Sequence, residues 1–434
     1  MMQGPVSGLS DRLSRLSDRR FKTVVYLTAL GLYLLGVWLH LPNGGGNVYT
    51  DITQVFQERF CQNSSGFGYP PSSLACNILV PYLQSFNEYP IITAMFMYFM
   101  GSVGWSIPGD HLTVYYLLSA AVLAIPTFLA IRELMKIIEI RGVSRNRILW
   151  YFIVTPTFII MTTLNWYVIG VYFSLSAIRI YLDGGSRVWV GVLFGLSAAS
   201  NFVTAIPALG FFIASKTMKE RFVLALAGLG TYAAINAPFF FLNSALWLES
   251  WHYIYAWNIE NSWMQAILID LYSPYRHVVP PIVFGGFFIG MVWLRFRRKT
   301  SDPLVFAFLA MFGYTFATYI YTPQMNLILL PFFVLLPVTR SYREFLAFEI
   351  LNASIIILGV SEVLAPFGIN YYLTFHLHPI DYMSPVFWIE VVRSLWQGKF
   401  TLLNDIPGSL SLRWWKRVTS TPPAPGEEGA VLRG

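Results

Sequence analysis

Residues 112–131, LTVYYLLSAAVLAIPTFLAI, form an uncharged apolar run, and the basic stretch RELMKIIEIRGVSRNR follows at once at 132–147. An α-helix needs about 20 mostly apolar residues to cross the ~30 Å hydrocarbon core of a bilayer, and this run has that length. The basic stretch carries five cations: Arg132, Lys136, Arg141, Arg145 and Arg147. Because lysine and arginine concentrate in cytoplasmic loops, the two segments together predict a transmembrane helix that ends on the cytoplasmic side.

The composition of the whole chain agrees with a membrane protein. Of the 434 residues, 56% are hydrophobic and 12% are charged, whereas soluble domains contain about 25% charged residues. A soluble fold of this size would have too few charged groups to cover its surface. The net charge of +7 is then explained by cytoplasmic loops, so a nucleic-acid partner is not expected. The fold class predicted is all-α, a polytopic transmembrane helical protein.

Apolar runs together with the positive-inside rule predict about 11 to 12 spans. The first run follows a basic N-terminus and lacks a small-residue cleavage site, so we expect a retained span and a cytoplasmic N-terminus. The predicted spans are 24–41, 112–131, 148–163, 168–181, a broken pair across 188–214, 222–241, 278–294, 304–320, 327–338, 345–366 and 384–395. In this arrangement every one of the 29 lysines and arginines except Arg59 and Arg276 faces the cytoplasm.

The apolar run at 91–105 is short for a span. If it crossed the membrane, the five cations at 132–147 would lie outside, so we predict a re-entrant or interfacial helix there. A single transmembrane domain is expected over 1–415, with a first extracytoplasmic loop at 42–90 and a Trp-rich extracytoplasmic loop at 242–277. The Pro/Gly-rich segment 416–434 is expected to be a disordered cytoplasmic tail.

Both cysteines, Cys61 and Cys76, lie in the first extracytoplasmic loop. They bracket a polar stretch that also contains a glycosylation sequon at Asn63, and outside the cytoplasm such a pair predicts a disulfide. Two unpaired thiols are the alternative. The aromatic residues of 242–277 form either an interfacial belt or a platform for a sugar or lipid head group.

Asp51, in the first extracytoplasmic loop, is the strongest candidate for chemistry. Apolar residues at helical spacing follow it, which predicts an amphipathic helix lying on the membrane. Thr50 and Asp51 could instead serve only to cap that helix. Glu58 and Glu88 are the rival acids. Glu88 enters the short apolar helix at Glu88-Tyr89-Pro90 and could instead be a solvated or capping residue.

The order of several short motifs resembles the GT-C superfamily of membrane glycosyltransferases, and in particular the polyprenyl-phosphate-mannose-dependent mannosyltransferases of bacteria and archaea. The resemblance covers about residues 20 to 340. The motifs that carry it are Tyr49-x-Asp51, Pro81-Tyr82, Glu88-Tyr89-Pro90, Pro156 with Asn165-Trp166, Asn236-Ala237-Pro238-Phe239, and Tyr321-Thr322-Pro323-Gln324. Two positions depart from the pattern: Tyr167 follows Trp166 where many relatives have an acid, and Asn201 stands where many have lysine.

The resemblance implies that an acid in the first outside loop is the catalytic base, and Asp51 is the matching position. The donor carries its own phosphate leaving group, so the chemistry needs a base and groups that hold the phosphate. Arg276 and His277, at the entrance to a span, are the candidates for the phosphate, although Arg276 could simply extend to the lipid head groups. Further substrate-binding candidates are Glu88, Tyr89, His252, Trp257, Tyr321, Gln324 and Asn326.

The implied function is inverting transfer of a sugar, most readily mannose, to a lipid-linked glycan or glycolipid on the extracytoplasmic face. Inversion is expected because one base and no second nucleophile are in evidence. The partners expected are the polyprenyl-phosphate donor, the glycolipid acceptor and membrane lipids, in the plasma membrane of a prokaryote rather than the endoplasmic reticulum. No cofactor and no metal are expected, since His376, His378 and Asp381 make only a weak pattern.

Two alternatives stay open. One is a GT-C enzyme that uses another donor sugar, such as arabinose or glucose. The other is a transporter or flippase of lipids or small solutes, which the broken pair across 188–214 would suit, with Glu362 as a candidate intramembrane acid.

Overall fold

The computed structural model describes residue 13 and residues 16–46, 48–61, 76–268, 270–297, 301–339 and 342–360. Within these ranges the chain forms α-helices with short 3₁₀ and π segments and no strand, only isolated bridges. The all-α prediction is confirmed for this part of the chain. The predictions about Asn63, Glu362, the loop 367–383 with His376, His378 and Asp381, the span 384–395 and the tail 416–434 lie outside the described residues.

The α-helices follow one another along the chain with short connections. In chain order they are α1 (Asp18–Leu39), α2 (Asp51–Phe60), α3 (Ile91–Ser106), α4 (His111–Arg141), α5 (Pro156–Met161), α6 (Tyr167–Leu182), α7 (Arg187–Ser200), α8 (Pro207–Ala214), α9 (Met218–Leu242), α10 (Ser244–Ala256), α11 (Trp263–Leu268), α12 (Val279–Phe296), α13 (Pro303–Ala317), α14 (Asn326–Leu335) and α15 (Tyr342–Ser354).

In the described part of the chain, four helical segments are long and apolar enough to cross a membrane: α1, α4, α9 and the stretch Pro274–Phe296 that contains α12. In the apolar 18-residue stretches of α9 and of Pro274–Phe296, only 11% and 6% of the residues are buried within the chain. Phe241 and Phe296 are each 81% exposed. Exposed apolar surface costs about 25 cal/mol per Å² in water, so these faces belong in lipid and the chain is a membrane protein.

Six further apolar helical segments among the described residues have 10 to 17 residues, shorter than a full span. One of them, α3, is the short helix expected after the first outside loop. Whether these segments complete crossings is not decided by their length, so the number of 11 to 12 spans and the re-entrant path of α3 stay predictions.

One predicted span is not a continuous helix. Residues 148–163 were expected as one helix, but the chain forms a π-helical turn at Leu149–Ile153 and then the separate helix α5. Thr155 caps α5 by accepting a hydrogen bond from the Phe158 N–H at 3.1 Å. Pro156 has no N–H to continue the preceding helix, so the break occurs here.

The predicted break across 188–214 is confirmed. Helix α7 ends at Ser200, a 3₁₀ turn spans Phe202–Ala205, and α8 begins at Pro207. The Asn201 side chain accepts from the Val203 N–H at 3.0 Å. An asparagine cap and a proline at the next helix start therefore explain the interruption.

The helix predicted after Asp51 exists as α2, and Thr50 is its cap, accepting from the Ile52 N–H at 3.2 Å. Its apolar face does not lie on the bilayer, which corrects the expectation. Phe56 is fully buried and stacks on Tyr115 of α4 with ring centroids 3.9 Å apart. Helix α2 is thus packed inside the protein.

The predicted disulfide is confirmed, since Cys61 and Cys76 are bonded. Cys61 directly follows α2, and the Asn77 N–H donates to the Phe60 carbonyl at 2.7 Å. The disulfide therefore ties the end of α2 to the segment that leads toward Glu88.

The two ends of α4 contact different parts of the chain. Its first turns pack on α2 through Tyr115. Near its other end, Glu133 pairs with Arg132 at 2.9 Å and with Arg179. Helix α4 has 31 residues, about 46 Å at 1.5 Å per residue. The basic segment predicted to be cytoplasmic is thus separated from Asp51 by the length of a membrane-spanning helix.

Glycines allow α7 and α9 to pack backbone against backbone. A methyl group at Gly191 would lie 2.5 Å from the Leu224 carbonyl oxygen and 2.7 Å from Ala227 Cβ. Gly195, one turn later, is equally close to the Gly228 carbonyl oxygen, at 2.5 Å. This small-xxx-small spacing lets two membrane helices approach closely.

The Gly191→Ala substitution should lower stability, because the backbone atoms it would strike cannot move aside; overpacking of this kind costs about 1–3 kcal/mol. Gly230→Ala on α9, the helix against which α7 packs, is the control, since nothing lies within 4 Å of that position. Thermal unfolding in detergent measures both. Equal melting temperatures for the two variants would contradict the close α7–α9 contact.

Candidate functional site

Asp51 is the first residue of α2 and is only 8% exposed. Three side chains from distant parts of the chain donate to its Oδ2 atom. The donors are the Tyr89 hydroxyl at 3.4 Å, Asn165 Nδ2 at 3.3 Å and Gln324 Nε2 at 3.4 Å. Tyr49 also hydrogen-bonds the carboxylate. The fold therefore assembles a buried carboxylate among four polar neighbours.

Local contacts hold two of these donors in position. Asn165 accepts a hydrogen bond from the Tyr167 N–H at 2.9 Å, so its amide is oriented at the start of α6. The Tyr89 ring meets Trp166 edge to face at 5.0 Å, and its N–H donates to Asn87 Oδ1 at 2.9 Å. Because Trp166 is only 1% exposed, the aromatic contact fixes Tyr89 beside Asp51.

Gln324, the third donor, lies in the 3₁₀ turn Pro323–Met325 and is supported from behind by a buried network. The Asn352 amide donates to the Pro323 carbonyl at 3.0 Å and to the Thr157 hydroxyl at 3.1 Å. The Tyr321 hydroxyl contacts Asn326 Oδ1 at 2.8 Å and Asn352 Oδ1 at 2.9 Å. Helix α15 thereby fixes the turn that presents Gln324.

Tyr321 and Asn326, both predicted as substrate-binding candidates, are members of this network. They are 6% and 0% exposed. The structure therefore places them behind Gln324, where they support its position.

Burial raises the pKa of Asp51 to about 6, because the charged form loses its hydration. Hydrogen bonds from Tyr49, Asn165 and Tyr89 oppose this effect, and the negative charge of Glu88 adds slightly to it. A carboxyl with this pKa is mostly ionised at neutral pH and still holds a proton well enough to accept one in a reaction.

Glu88 is engaged in a two-point ion pair. Arg59 Nε lies 2.5 Å from Glu88 Oε2, and Arg59 Nη2 lies 3.0 Å from Glu88 Oε1. The Arg59 guanidinium also lies 5.1 Å from the Phe86 ring centroid and 5.2 Å from that of Tyr253. A bidentate pair flanked by aromatic rings fixes the entrance to α3.

An open pocket of about 580 Å³ contains Arg276 and His277, the candidates for phosphate binding. Trp251, His252, Tyr255 and Tyr319 also line it. The His277 ring stacks on Tyr255 with centroids 3.8 Å apart and meets Tyr319 edge to face at 5.3 Å. The pocket thus combines aromatic walls with one guanidinium and two imidazoles.

Glu260, which no motif in the sequence singles out, bonds through its backbone to Tyr319, which lines this pocket, and to Tyr321, which lies three residues before Gln324. Its N–H donates to the Tyr319 carbonyl at 2.9 Å, and its carbonyl accepts from the Tyr321 N–H at 2.8 Å. Burial, and to a smaller degree the charge of Asp51, raise the pKa of the Glu260 carboxyl to about 7. The Trp257 indole opposes this rise by donating a hydrogen bond to the ionised carboxylate.

Trp257, another predicted substrate contact, donates from its indole N–H to Glu260 Oε2 at 2.8 Å. In the sequence, Glu260 is one of several acids in the Trp-rich loop, and Glu249 and Asp270 look no different. The position of Trp257 three residues earlier is the only local signal that could have identified it.

Among the residues that the structure describes, no group of three His, Cys, Asp or Glu side chains is arranged to hold a metal ion. No model of a known protein family matches the chain, and a search of curated proteins finds no match. The function is therefore inferred from the chain's own residues.

Replacing Gln324 with methionine should raise the pKa of Asp51 further above its value of about 6, because one hydrogen bond to the ionised form is lost. A hydrophobic carbodiimide modifies protonated carboxyl groups, so the pH at which Asp51 labelling is half-maximal, read by peptide mass spectrometry, reports this pKa. Asp110 is the internal control, since hydrogen bonds from Thr113 and Asn43 outweigh its burial and lower its pKa. An unchanged Asp51 midpoint in the variant would contradict the Gln324 contact.

Proposed function

We propose that the protein is an inverting glycosyltransferase of the GT-C type, which transfers a sugar, most readily mannose, from a polyprenyl-phosphate donor to a hydroxyl of a lipid-linked glycan or glycolipid. The observation that carries the proposal is the convergence of Tyr89, Asn165 and Gln324 on the buried Asp51 carboxylate. These residues come from four separate motifs whose order resembles that superfamily.

In the proposed reaction, the Asp51 carboxylate takes the proton of the acceptor hydroxyl as the oxygen attacks the anomeric carbon. The bond between that carbon and the phosphate oxygen breaks, and the lipid phosphate leaves with the bonding electrons. A positioned general base contributes about 10²- to 10⁴-fold to the rate. One displacement inverts the configuration, so a β-linked donor gives an α-linked product.

The pocket that contains Arg276 suits the donor's phosphate. A guanidinium and two imidazoles can donate hydrogen bonds to an anion. Val278 and Ile282, which follow Arg276, are 51% and 67% exposed, and an apolar helix face of this kind would accommodate a polyprenyl chain. Tyr319 lines the pocket and bonds to Glu260, which supports placing the phosphate near Asp51.

The polarity of the molecule supports an extracytoplasmic site. Glu133, Arg132 and Arg179 form an ion cluster toward one end of α4, whereas Tyr115 meets the Asp51 helix at the other. By the positive-inside rule the basic end is cytoplasmic. Asp51 would then face outward, with a prokaryotic plasma membrane as the expected location.

A transporter is the second candidate, because the break between α7 and α8 is the kind of interruption that transporters use for binding. The carbonyl groups at this break already have partners. The Thr93 hydroxyl donates to the Ser200 carbonyl at 2.7 Å, and the Thr204 hydroxyl donates to the Asn201 carbonyl at 2.7 Å. This bonding favours a structural role for the break.

Asp51→Asn should reduce kcat/KM for sugar transfer by about 10²- to 10⁴-fold, because the amide cannot accept the hydroxyl proton. A radiolabelled polyprenyl-phosphate mannose assay measures the loss. Glu58→Gln is the matched control, since that acid is on the same helix and is 36% exposed. Its activity should equal that of the wild type.

The melting temperature of Asp51→Asn at pH 7.5 should equal or exceed that of the wild type. The folded-state pKa lies above the usual 3.8, so ionisation of Asp51 costs stability as the pH rises to about 6. Full transfer activity in a folded Asp51→Asn protein would eliminate the base assignment. Solute flux in proteoliposomes without any transfer would favour the transporter.

The pH dependence of transfer should follow the ionisation of Asp51. Below about pH 6, kcat/KM should fall about tenfold per pH unit, because only the ionised carboxylate can act as a base. An aspartate of ordinary pKa would instead keep full activity down to about pH 4. Steady-state rates between pH 4.5 and pH 8 distinguish these profiles, and a flat profile across pH 5 would be incompatible with Asp51 as the base.

A further inference from the structure

We propose that Glu260 is a recognition residue for the sugar, whose ring hydroxyls donate hydrogen bonds to its carboxylate. This role rests on the proposed transferase function and is one that Asp51 does not fill. Asp51 would take a proton, whereas Glu260 would bind and orient the ring that is transferred.

The backbone around Glu260 is held on both sides. Glu260 pairs in parallel with Ile320 through hydrogen bonds of 2.9 and 2.8 Å to Tyr319 and Tyr321. The Ser262 hydroxyl donates to the Thr318 carbonyl at 3.0 Å. These contacts join the Trp-rich loop to the segment that carries Gln324. They hold in place the backbone that bears the Glu260 carboxylate.

Asn261, the next residue, has a left-handed backbone with φ of 47° and is only 5% exposed. A non-glycine residue in this region is uncommon, and asparagine tolerates it best. Backbone conformations of this kind persist where surrounding structure imposes them, often at functional sites. The turn directs the chain from Glu260 into the buried anchor at Ser262.

The side chain of Glu260 is suited to a sugar. A carboxylate offers about four acceptor positions, and the Trp257 indole N–H occupies one on Oε2. The Trp257 side chain is 36% exposed, so an aromatic surface borders the carboxylate. Carboxylate oxygens that accept from vicinal hydroxyls, next to an aromatic ring that covers apolar C–H groups, match the two chemical features of a pyranose.

The location of Glu260 also agrees with the geometry that the donor demands. The sugar must lie between the phosphate and the base. It is covalently bound to the phosphate, and the acceptor hydroxyl that attacks it must be next to the base. On one side, Glu260 bonds to Tyr319, which lines the pocket of Arg276. On the other, its carbonyl accepts from the Tyr321 N–H, and Gln324, three residues further along the chain, contacts Asp51. Glu260 is thus placed where the ring would be held.

The test compares binding of polyprenyl-phosphate mannose with binding of bare polyprenyl phosphate, by microscale thermophoresis in nanodiscs. Wild-type protein should bind the mannosylated lipid more tightly. In Glu260→Ala this preference should fall about tenfold to a hundredfold, the equivalent of hydrogen bonds to a charged group, while binding of the bare lipid is unchanged. Glu58→Ala, which removes a carboxylate that is 36% exposed on α2, should keep the full preference.

The binding measurement does not require sugar transfer. It can therefore refute the role of Glu260 without refuting the proposed function, and the transfer assay can do the reverse. If Glu260→Ala keeps the preference while Asp51→Asn abolishes transfer, the role of Glu260 is refuted and the transferase stands. If the wild type discriminates the sugar but transfers none, the transferase is refuted and sugar recognition is still measured. Glu260→Gln, which keeps an acceptor for Trp257, replaces the alanine variant if the latter does not fold; a retained preference there also counts against the role of Glu260.

Discussion

The structure depends on hydrogen bonds that replace the lost hydration of one buried carboxylate, that of Asp51. Removing an ionised group from water is costly unless hydrogen bonds replace its hydration, and Asp51 obtains them from residues 38, 114 and 273 positions away along the chain. The site can form only when α2, the entrance to α3, the start of α6 and the turn before α14 are all in place. The site therefore forms only once these elements have packed together.

Charge is divided between the ends of the molecule. Toward one end of α4, Glu133 is surrounded by Arg132, Lys136 and Arg179, and Lys22 reaches Glu139 at 3.2 Å. At the other end, acidic groups are buried among tyrosines and amides, with Arg59 committed to Glu88. A carboxylate surrounded mainly by neutral donors keeps a raised pKa, whereas one surrounded by cations does not. This asymmetry supports the proposal that the chemistry takes place at the Asp51 end.

Much of this could be predicted from the chain. Asp51, Tyr89 and Gln324 were identified from the order of short motifs, and the disulfide from the polar stretch between two cysteines. The burial of α2 could not be predicted, because its amphipathic spacing suits either a lipid surface or a protein surface. The Arg59–Glu88 pair and the buried network of Tyr321, Asn326 and Asn352 were equally hidden, since nothing local distinguishes a polar residue that faces substrate from one that faces another helix.

What the sequence determined by itself was the kind of molecule: long uncharged runs can be stable only as helices in lipid, and that follows from composition and length. What only the tertiary structure decided was which polar residues meet. Glu260 resembles the other acids of its loop in sequence, and it comes to lie beside the segment that leads to Gln324 because its backbone bonds to Tyr319 and Tyr321. The order of residues along the chain shows which segments are hydrophobic enough to be buried. The hydrogen-bond partners of a residue depend instead on which distant segments the fold brings beside it.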